Sequence, residues 1–193
     1  MPEPAGSPRG SRLQFLLVAL AFIVPLLGAV LLYNGGDAWR PGGSTNHGTL
    51  LSPIVNLDER LPGSDLGRQV ADHWALVYIN DGPCRNACRE ALYTLRQSRL
   101  MLGHDMNRLL RVFLHGTIAP DRVFLEREHA GLVTLHEPAA ALLLQAERPV
   151  GSAAGGYFLL DPLGNLVMYF PADIVPRDMV DDIAHLLDLS RIG

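Results

Sequence analysis

A long apolar run near the N-terminus constrains this 193-residue chain more than any other feature. From Leu13 to Tyr33 the chain reads LQFLLVALAFIVPLLGAVLLY, 21 residues without a formal charge. As a helix rising about 1.5 Å per residue it would extend about 30 Å, the thickness of the hydrocarbon core of a bilayer. Pro25 is tolerated in such a span, where neighbouring groups satisfy the freed carbonyl. The sequence therefore predicts a transmembrane anchor over residues 13–33.

A cleaved signal peptide is the alternative to a transmembrane anchor. The apolar core of a signal peptide is usually about 7 to 15 residues long, and no small-residue cleavage site or lipid-acceptor cysteine follows this run.

The flanks of the run predict its orientation. Arg9 and Arg12 precede the run, whereas Asp37 and Arg40 follow it. Because positive charge favours the cytoplasmic side, we expect residues 1–12 to form a cytoplasmic tail and the rest of the chain to be exported.

Composition excludes several classes of function. All 16 basic residues are arginine, and the absence of lysine excludes a Walker-type phosphate lysine and a Schiff-base lysine. With 20 acidic residues the net charge is -4, and the arginines are scattered along the chain. We therefore expect no nucleic-acid partner.

Residues 34–55 have the composition of a linker. The segment is rich in Gly, Pro, Ser and Asn, which favours an irregular connection that holds a domain off a membrane. Within it, Asn46-His47-Gly48 indicates either a turn that tucks the segment against the domain or a functional histidine. The domain itself is predicted over residues 56–193.

Hydrophobic periodicity predicts alternating strands and helices in that domain. The predicted strands are 73–80, 109–114, 132–135, 157–160 and 166–170, and the predicted helices are 86–101, 121–129, 139–147 and 176–189. A β-α-β order followed by a hairpin and a last helix indicates an α/β fold with a mixed sheet flanked by helices. This is the element order of a thioredoxin-like fold.

The two cysteines of the chain, Cys84 and Cys88, follow the first predicted strand and open the first helix of the domain. A spacing of four places their Cα atoms roughly 6 Å apart on one helical face, so either a disulfide or joint metal ligation is feasible. The helix N-terminus, together with Arg85 and Arg89, favours the thiolate form. The alternative is an inert structural disulfide or two buried apolar thiols.

The chain resembles the Sco/SenC family of membrane-anchored thioredoxin-like factors that assemble the copper centre of cytochrome c oxidase. The resemblance spans roughly Asp58 to Leu187 and is carried by the segments WALVYINDGPCRNAC, ALYTLRQSRLMLG, LLRVFL, AGLVTLHEPAAAL and YFLLDPLGNLVMYF. It implies that Cys84 and Cys88 are a redox-active pair that binds copper. It also implies an oxidase subunit or another copper chaperone as partner, and a domain in the periplasm, anchored in a bacterial inner membrane.

Two departures from the family concern the copper ligands. Arg85 and Arg89 replace prolines that flank the cysteines in the family. The family's third ligand is a histidine before the hairpin, where this chain reads GSAAGG over residues 151–156. The glycines of that loop either let a partner approach the cysteines or permit a tight turn into the strand.

Another histidine is needed as third ligand. His115 ends the strand predicted beside the cysteine strand and is the best candidate, as a copper ligand, as a base that activates a cysteine, or simply as a histidine hydrogen-bonded near a loop. We expect His136 to be too distant and His73 to lie at the opposite edge. The remaining candidates are expected at ordinary surface positions: His104, His129 and His185.

Three hypotheses follow. The first is a thiol-disulfide factor, which would act as an oxidoreductase with Cys84 as the nucleophile and Cys88 as the resolving thiol. The second is a Cu(I) carrier that uses both thiolates with His115 or a ligand from a partner. The third is an assembly scaffold without catalytic activity, in which the cysteines form a structural disulfide.

Overall fold

The computed structural model describes residues 8–34, 46–190 and 192, and the chain divides into two compact units, residues 1–45 and 46–193. In the first unit, helix α1 (Pro8–Asn34) has 27 residues and contains Pro25. Its window Gln14–Leu31 has a mean hydropathy of 2.5 and is a candidate membrane span. The sequence placed the anchor over this same stretch.

The second unit is built on one six-stranded mixed sheet. Its strands are β1 (Thr49–Asn56), β2 (Trp74–Asn80), β3 (Leu109–His115), β4 (Leu132–Leu135), β5 (Tyr157–Leu160) and β6 (Asn165–Phe170). Their order across the sheet is β1-β6-β5-β2-β3-β4. Strands β2, β3 and β4 run parallel, whereas β5, β6 and β1 add antiparallel pairings. The predicted α/β, thioredoxin-like mixed sheet is confirmed.

Helices cover both faces of this sheet. They are α2 (Leu57–Arg60), α3 (Asp65–Val70), α4 (Asn86–Met101), α5 (Arg122–Glu128), α6 (Pro138–Ala146) and α7 (Pro176–Leu189), with a 3-10 helix at Gly103–Arg108. Every predicted element from β2 to α7 lies within one residue of its predicted bounds. The sequence missed β1, α2, α3 and the 3-10 helix, which are short or lack a clear apolar period.

Strand β2 divides the core into two halves. Side chains alternate along a strand, so Leu76 and Tyr78 pack on the face covered by α4 and α7. Ala75 and Val77 pack on the opposite face, with α3 and α6. Because the strand is buried on both faces, its sequence is a continuous apolar run, as expected for the centre of a sheet.

The linker prediction extends too far along the chain. Residues 49–55, assigned to the linker, form most of β1, which pairs antiparallel with β6 from Thr49 opposite Tyr169 to Asn56 opposite Asn165. In the sequence, Pro53 indicates the end of a strand, because proline has no N–H to donate to a neighbouring strand. The structure accommodates it because β1 is an edge strand, where one row of backbone groups has no neighbour.

The segment that enters β1 is fastened to α7 by a buried carboxylate. The Gly48 backbone N–H donates to Asp182 Oδ2 at 2.7 Å, and His47 Nδ1 lies 3.3 Å from Asp182 Oδ1. Asp182 is only 6% exposed. Of the two alternatives for Asn46-His47-Gly48, the structure has the turn tucked against the domain.

Removing this carboxylate tests the attachment. We expect Asp182→Ala to lower the free energy of unfolding by about 1–3 kcal/mol, because it leaves the buried Gly48 N–H without its acceptor. Near-ultraviolet circular dichroism of the full chain in detergent, followed against urea, measures the loss. Asp181→Ala, at the exposed neighbouring position, is the matched control and should leave stability unchanged. Equal effects of the two substitutions would contradict the assignment.

Candidate functional site

The candidate site is the loop that leaves the buried strand β2. Asn80, the last residue of β2, donates through Nδ2 to the Gly82 carbonyl oxygen at 2.6 Å. The Gly116 N–H donates to the Asn80 carbonyl oxygen at 3.0 Å. A Cβ on Gly116 would lie 2.1 Å from the Asp81 carbonyl oxygen, so only glycine permits this approach. The ends of β2 and β3 are thereby held together beneath the cysteine loop.

The two cysteines form a disulfide and differ in burial. Cys84 and Cys88 are joined with their Cα atoms 5.0 Å apart. Cys84 precedes α4 and is half-buried, whereas Cys88 lies in the first turn of α4 and is 3% exposed. Cys88 belongs to the core face shared with α4 and α7. A partner therefore reaches Cys84 before it reaches Cys88.

The start of α4 places positive potential beside both sulfurs. Within the described part of the chain, no side chain caps the first N–H groups of α4, and its first turn contains no acidic residue. Arg85 and Arg89 flank Cys88 and are exposed. Partial positive charge from the free N–H groups adds to these two cations. The thiolate is the nucleophile in disulfide exchange, and the thiolate character of the reduced pair stays a prediction.

His115 is held by partners other than the cysteines. It ends β3 opposite Asn80 in the parallel register, at the edge where the sequence placed it. Its Nδ1 lies 2.8 Å from the Gly116 carbonyl oxygen, and its ring stacks on His136 at 5.4 Å between centroids. His136 Nδ1 in turn lies 3.1 Å from the His115 carbonyl oxygen. The structure thus makes a histidine pair that the sequence did not predict.

In the disulfide form, the predicted copper ligands are not grouped as a metal-binding set. Across residues 8–34, 46–190 and 192, no three His, Cys, Asp or Glu side chains are grouped closely enough to hold a metal ion. Cys84, Cys88 and His115 are therefore not brought together as a ligand set. Both sulfurs are consumed in the disulfide, and the thiolate is the form that binds metal.

The glycine-rich loop before β5 serves the hairpin. Gly156 has φ +94°, and a Cβ there would lie 2.5 Å from both the Phe170 carbonyl oxygen and Tyr169 Oη. The same Tyr169 hydroxyl donates to the Gly155 carbonyl oxygen at 2.9 Å. Of the two interpretations of this loop, the contacts of Gly156 support the tight turn into the strand.

Two buried tyrosines lie beneath the first turns of α4. Tyr78 and Tyr157 have ring centroids 5.8 Å apart and line a cavity of about 340 Å³ together with Ala87 and Ala91. Burial raises the pKa of Tyr157 to about 12 and raises that of Tyr78. Both are therefore neutral hydroxyls at neutral pH. Neither tyrosine was predicted near the site, although Tyr78 shares the strand face of Leu76 that packs against α4.

One histidine prediction is wrong. His129 was expected at an ordinary surface position, but it is 4% exposed and packs edge-on against Phe124 at 5.0 Å between centroids. Its pKa is lowered, first by burial and then by the charges of Arg111 and Arg96. The prediction failed because His129 directly follows the short helix α5, and the charges that act on it, Arg96 of α4 and Arg111 of β3, are distant in sequence.

A dithiol at the start of the helix that leaves the central strand of a mixed sheet defines a thioredoxin-like protein. Residues 74–190 match the family described as "Transmembrane-like, thioredoxin-like, C-terminal domain", and the chain belongs to this family. No curated protein matches the chain.

Solved structures with similar folds come from several organisms. Apo Sco1 from Thermus thermophilus is 18% identical, with a TM-score of 0.54 over 75% of this chain and 99% of that one. Yeast Sco1 is 17% identical, with a TM-score of 0.53 over 64% and 85%. Arabidopsis thaliana ScoI with copper bound is 12% identical, with a TM-score of 0.51 over 64% and 89%. The domain therefore has a Sco-like thioredoxin fold.

The constraint at Gly156 is testable by a single methyl group. We expect Gly156→Ala to lower the free energy of unfolding by more than about 2 kcal/mol, because the backbone is left-handed there and the Cβ meets backbone oxygen. Urea unfolding of the full chain measures this. Gly82→Ala is the matched control, since no atom of the described residues lies within 4 Å of its Cβ position. A tolerated alanine at 156 would disprove the packing argument.

The unequal burial of the cysteines predicts unequal reactivity. In single-cysteine variants of the full chain, Cys84 in Cys88→Ser should alkylate roughly tenfold faster than Cys88 in Cys84→Ser, because it is more accessible. Mass spectrometry after timed iodoacetamide treatment gives both rates. The same measurement in urea is the control, in which the difference should disappear. Faster reaction of Cys88 in the folded chain would reverse the assignment of nucleophile and resolving thiol.

Proposed function

We propose that the protein is a membrane-anchored thiol-disulfide factor that acts through Cys84 and Cys88. The observation that carries the proposal is the asymmetry of the pair: a half-buried Cys84 ahead of an uncapped helix start, and a buried Cys88 one turn into the helix. This arrangement supplies an accessible nucleophile and a protected resolving thiol, and it requires no third ligand.

The reaction passes two electrons to a partner. In the reduced domain the Cys84 thiolate attacks one sulfur of the partner's disulfide, and the other partner sulfur leaves as a thiolate. Cys88, after losing its proton to solvent, attacks Cys84 Sγ in the mixed disulfide and releases the second partner thiolate. The domain ends as the Cys84–Cys88 disulfide. A dithiol of an upstream thioredoxin-like reductant must restore the reduced form by the reverse exchange.

The setting of this reaction is part of the proposal. We place residues 1–12 in the cytoplasm, residues 13–33 in a bacterial inner membrane and the domain in the periplasm. The candidate span Gln14–Leu31 and the arginines that precede it support this topology. The partner is a respiratory oxidase subunit or another copper chaperone with oxidised cysteines, and the Sco-like fold supports this assignment.

Copper cargo is the second candidate function. The Arabidopsis ScoI structure, whose fold this domain shares, has copper bound, and His115 ends β3 beside the strand that leads to the cysteines. A reduced domain that carries Cu(I) would use both thiolates with His115 or a ligand from its partner. His115 would first have to leave the Gly116 carbonyl oxygen and His136.

A redox titration separates a working dithiol from a structural disulfide. We expect the full chain in detergent, equilibrated with glutathione or thioredoxin buffers, to have a reduction potential between about -120 and -270 mV, the range of exchange-active dithiols. A reduction potential below about -300 mV would indicate a structural disulfide, and only the scaffold hypothesis would remain. Cys84→Ser and Cys88→Ser are the controls, and both should abolish the transition.

The same preparation tests the copper alternative. Anaerobic Cu(I) titration of the reduced chain that gives one tightly bound ion, lost in His115→Ala and retained in His104→Ala, would overturn a purely thiol-based role. His104 is a suitable control because its side chain is 92% exposed. Absence of stoichiometric Cu(I) binding would leave thiol-disulfide exchange alone.

A further inference from the structure

Arginines that are scattered along the sequence converge on one side of α4. Arg89, Arg96 and Arg99 lie within an arc of about 80° when residues advance 100° each around a helix. Arg127 of α5 and Arg111 of β3 face the same space. In the sequence these five arginines are dispersed, because they belong to three elements that only the fold brings together.

These arginines line a trench between α4 and α5. It consists of two adjoining cavities of about 240 and 190 Å³, which share Arg96, Arg127 and Glu128 in their walls. Arg89 lines the first cavity, and Arg99 and Arg111 line the second. We call this surface the arginine trench, defined by Arg89, Arg96, Arg99, Arg111 and Arg127.

The positive charge of the trench is neutralised only at Arg127 by a carboxylate of the described residues. Glu128, the acidic residue of its walls, pairs with Arg127 Nε at 3.0 Å. Among the described residues, no carboxylate lies within 4 Å of the guanidinium groups of Arg96, Arg99 or Arg111. A cluster of unpaired cations is unfavourable by itself and favours the binding of an anionic group.

Arg111 makes this imbalance most acute. It lies in the middle of β3, is 5% exposed and donates through Nη2 to the Ala130 carbonyl oxygen at 2.6 Å. Its Nε and Nη1 have no hydrogen-bond partner among the described residues. Burial lowers the pKa of Arg111, and the charges of Arg99 and Arg96 lower it further. A buried cation surrounded by like charges gains from any anion that enters beside it.

The length and direction of the trench indicate what occupies it. From Arg89 to Arg99 the helix rises about 15 Å, which four or five residues of an extended chain would span. The first of these arginines follows Cys88 directly, and its guanidinium carbon lies 4.4 Å from the centroid of the Phe124 ring. An extended segment in the trench would therefore end at the turn of α4 that contains Cys88.

We infer that the arginine trench binds a short, extended segment rich in Asp and Glu, located next to the reactive cysteine of the redox partner. The identity of that partner rests on the proposed function, whereas the binding of the acidic segment does not. A long polyanion such as a nucleic acid is disfavoured by the net charge of -4 of the whole chain. A single small oxyanion would leave most of an elongated trench empty.

Binding is tested with a fluorescent, cysteine-free peptide of six residues that contains five glutamates, added to the disulfide form of the full chain in neutral detergent. We expect saturable binding that weakens at least tenfold in Arg96→Gln/Arg127→Gln and with added salt, because ion pairs supply the attraction. A glutamine version of the peptide should not bind. Arg127→Gln alone, at a side chain 78% exposed, should weaken binding without affecting the fold.

The matched control removes the same charge elsewhere. Arg68→Gln/Arg177→Gln lies on α3 and α7, outside the trench, and should bind the peptide within twofold of the unmodified chain. Equal weakening in both double variants, or no saturable binding, would overturn the trench assignment. Displacement of the peptide by inorganic phosphate, or by a short oligonucleotide, at a lower concentration than by unlabelled glutamate peptide would also overturn it.

A kinetic comparison keeps this inference distinct from the proposed function. Two disulfide peptides, flanked by either glutamates or glutamines, are reduced by the reduced full chain. A preference for the acidic flank of at least tenfold in the second-order rate constant of this single exchange, lost in Arg96→Gln/Arg127→Gln, supports both proposals. If the acidic peptide binds but the dithiol does not react, the trench proposal stands and the proposal of thiol-disulfide exchange fails. If both peptides are reduced at the same rate, the proposal of thiol-disulfide exchange stands and the trench proposal fails.

Discussion

The burial of β2 on both faces is the constraint on which the rest of the domain depends. Successive side chains of this strand point to opposite faces and pack into two separate halves of the core. Helices must therefore cover both faces of the sheet. A strand without solvent contact can bear functional groups only where it ends. The hydrogen bonds of Asn80 and the close approach of Gly116 to Asp81 fix that end. The disulfide loop is therefore rigidly placed where α4 begins.

The same helix presents different chemistry on its two sides. Toward the core it contributes Cys88, which is protected by apolar packing. Toward α5 it contributes a row of arginines, which share a space with the buried Arg111. If both proposals hold, this helix combines the chemistry of thiol-disulfide exchange with a surface that selects the partner by charge. Selection by charge acts mainly on the encounter rate, and it weakens with salt.

Local pattern made most of the fold predictable. The bounds of the elements from β2 to α7 lie within one residue of the predicted bounds. Each of these elements produces a continuous apolar run or a helical periodicity in the local sequence. The edge strand β1 was mistaken for a linker, because Pro53 and the nearby polar residues are typical of an irregular segment. A strand tolerates them when it lies at a sheet edge. In the site, the sequence located Cys84, Cys88 and the position of His115 on the sheet. It missed the stacking of His115 on His136 and the burial of His129 near Arg96 and Arg111, because these residues come together only in the folded domain.

The sequence by itself determined the apolar segment near the N-terminus, the thioredoxin-like order of elements and the position of the dithiol at a helix start. These features depend on residues that are neighbours in the chain. Only the tertiary structure decided which cysteine is accessible, which histidine stacks on His115 and where the arginines gather. Each of these depends on contacts between elements distant in sequence, where packing between α4, α5 and β3 determines burial and unpaired charge.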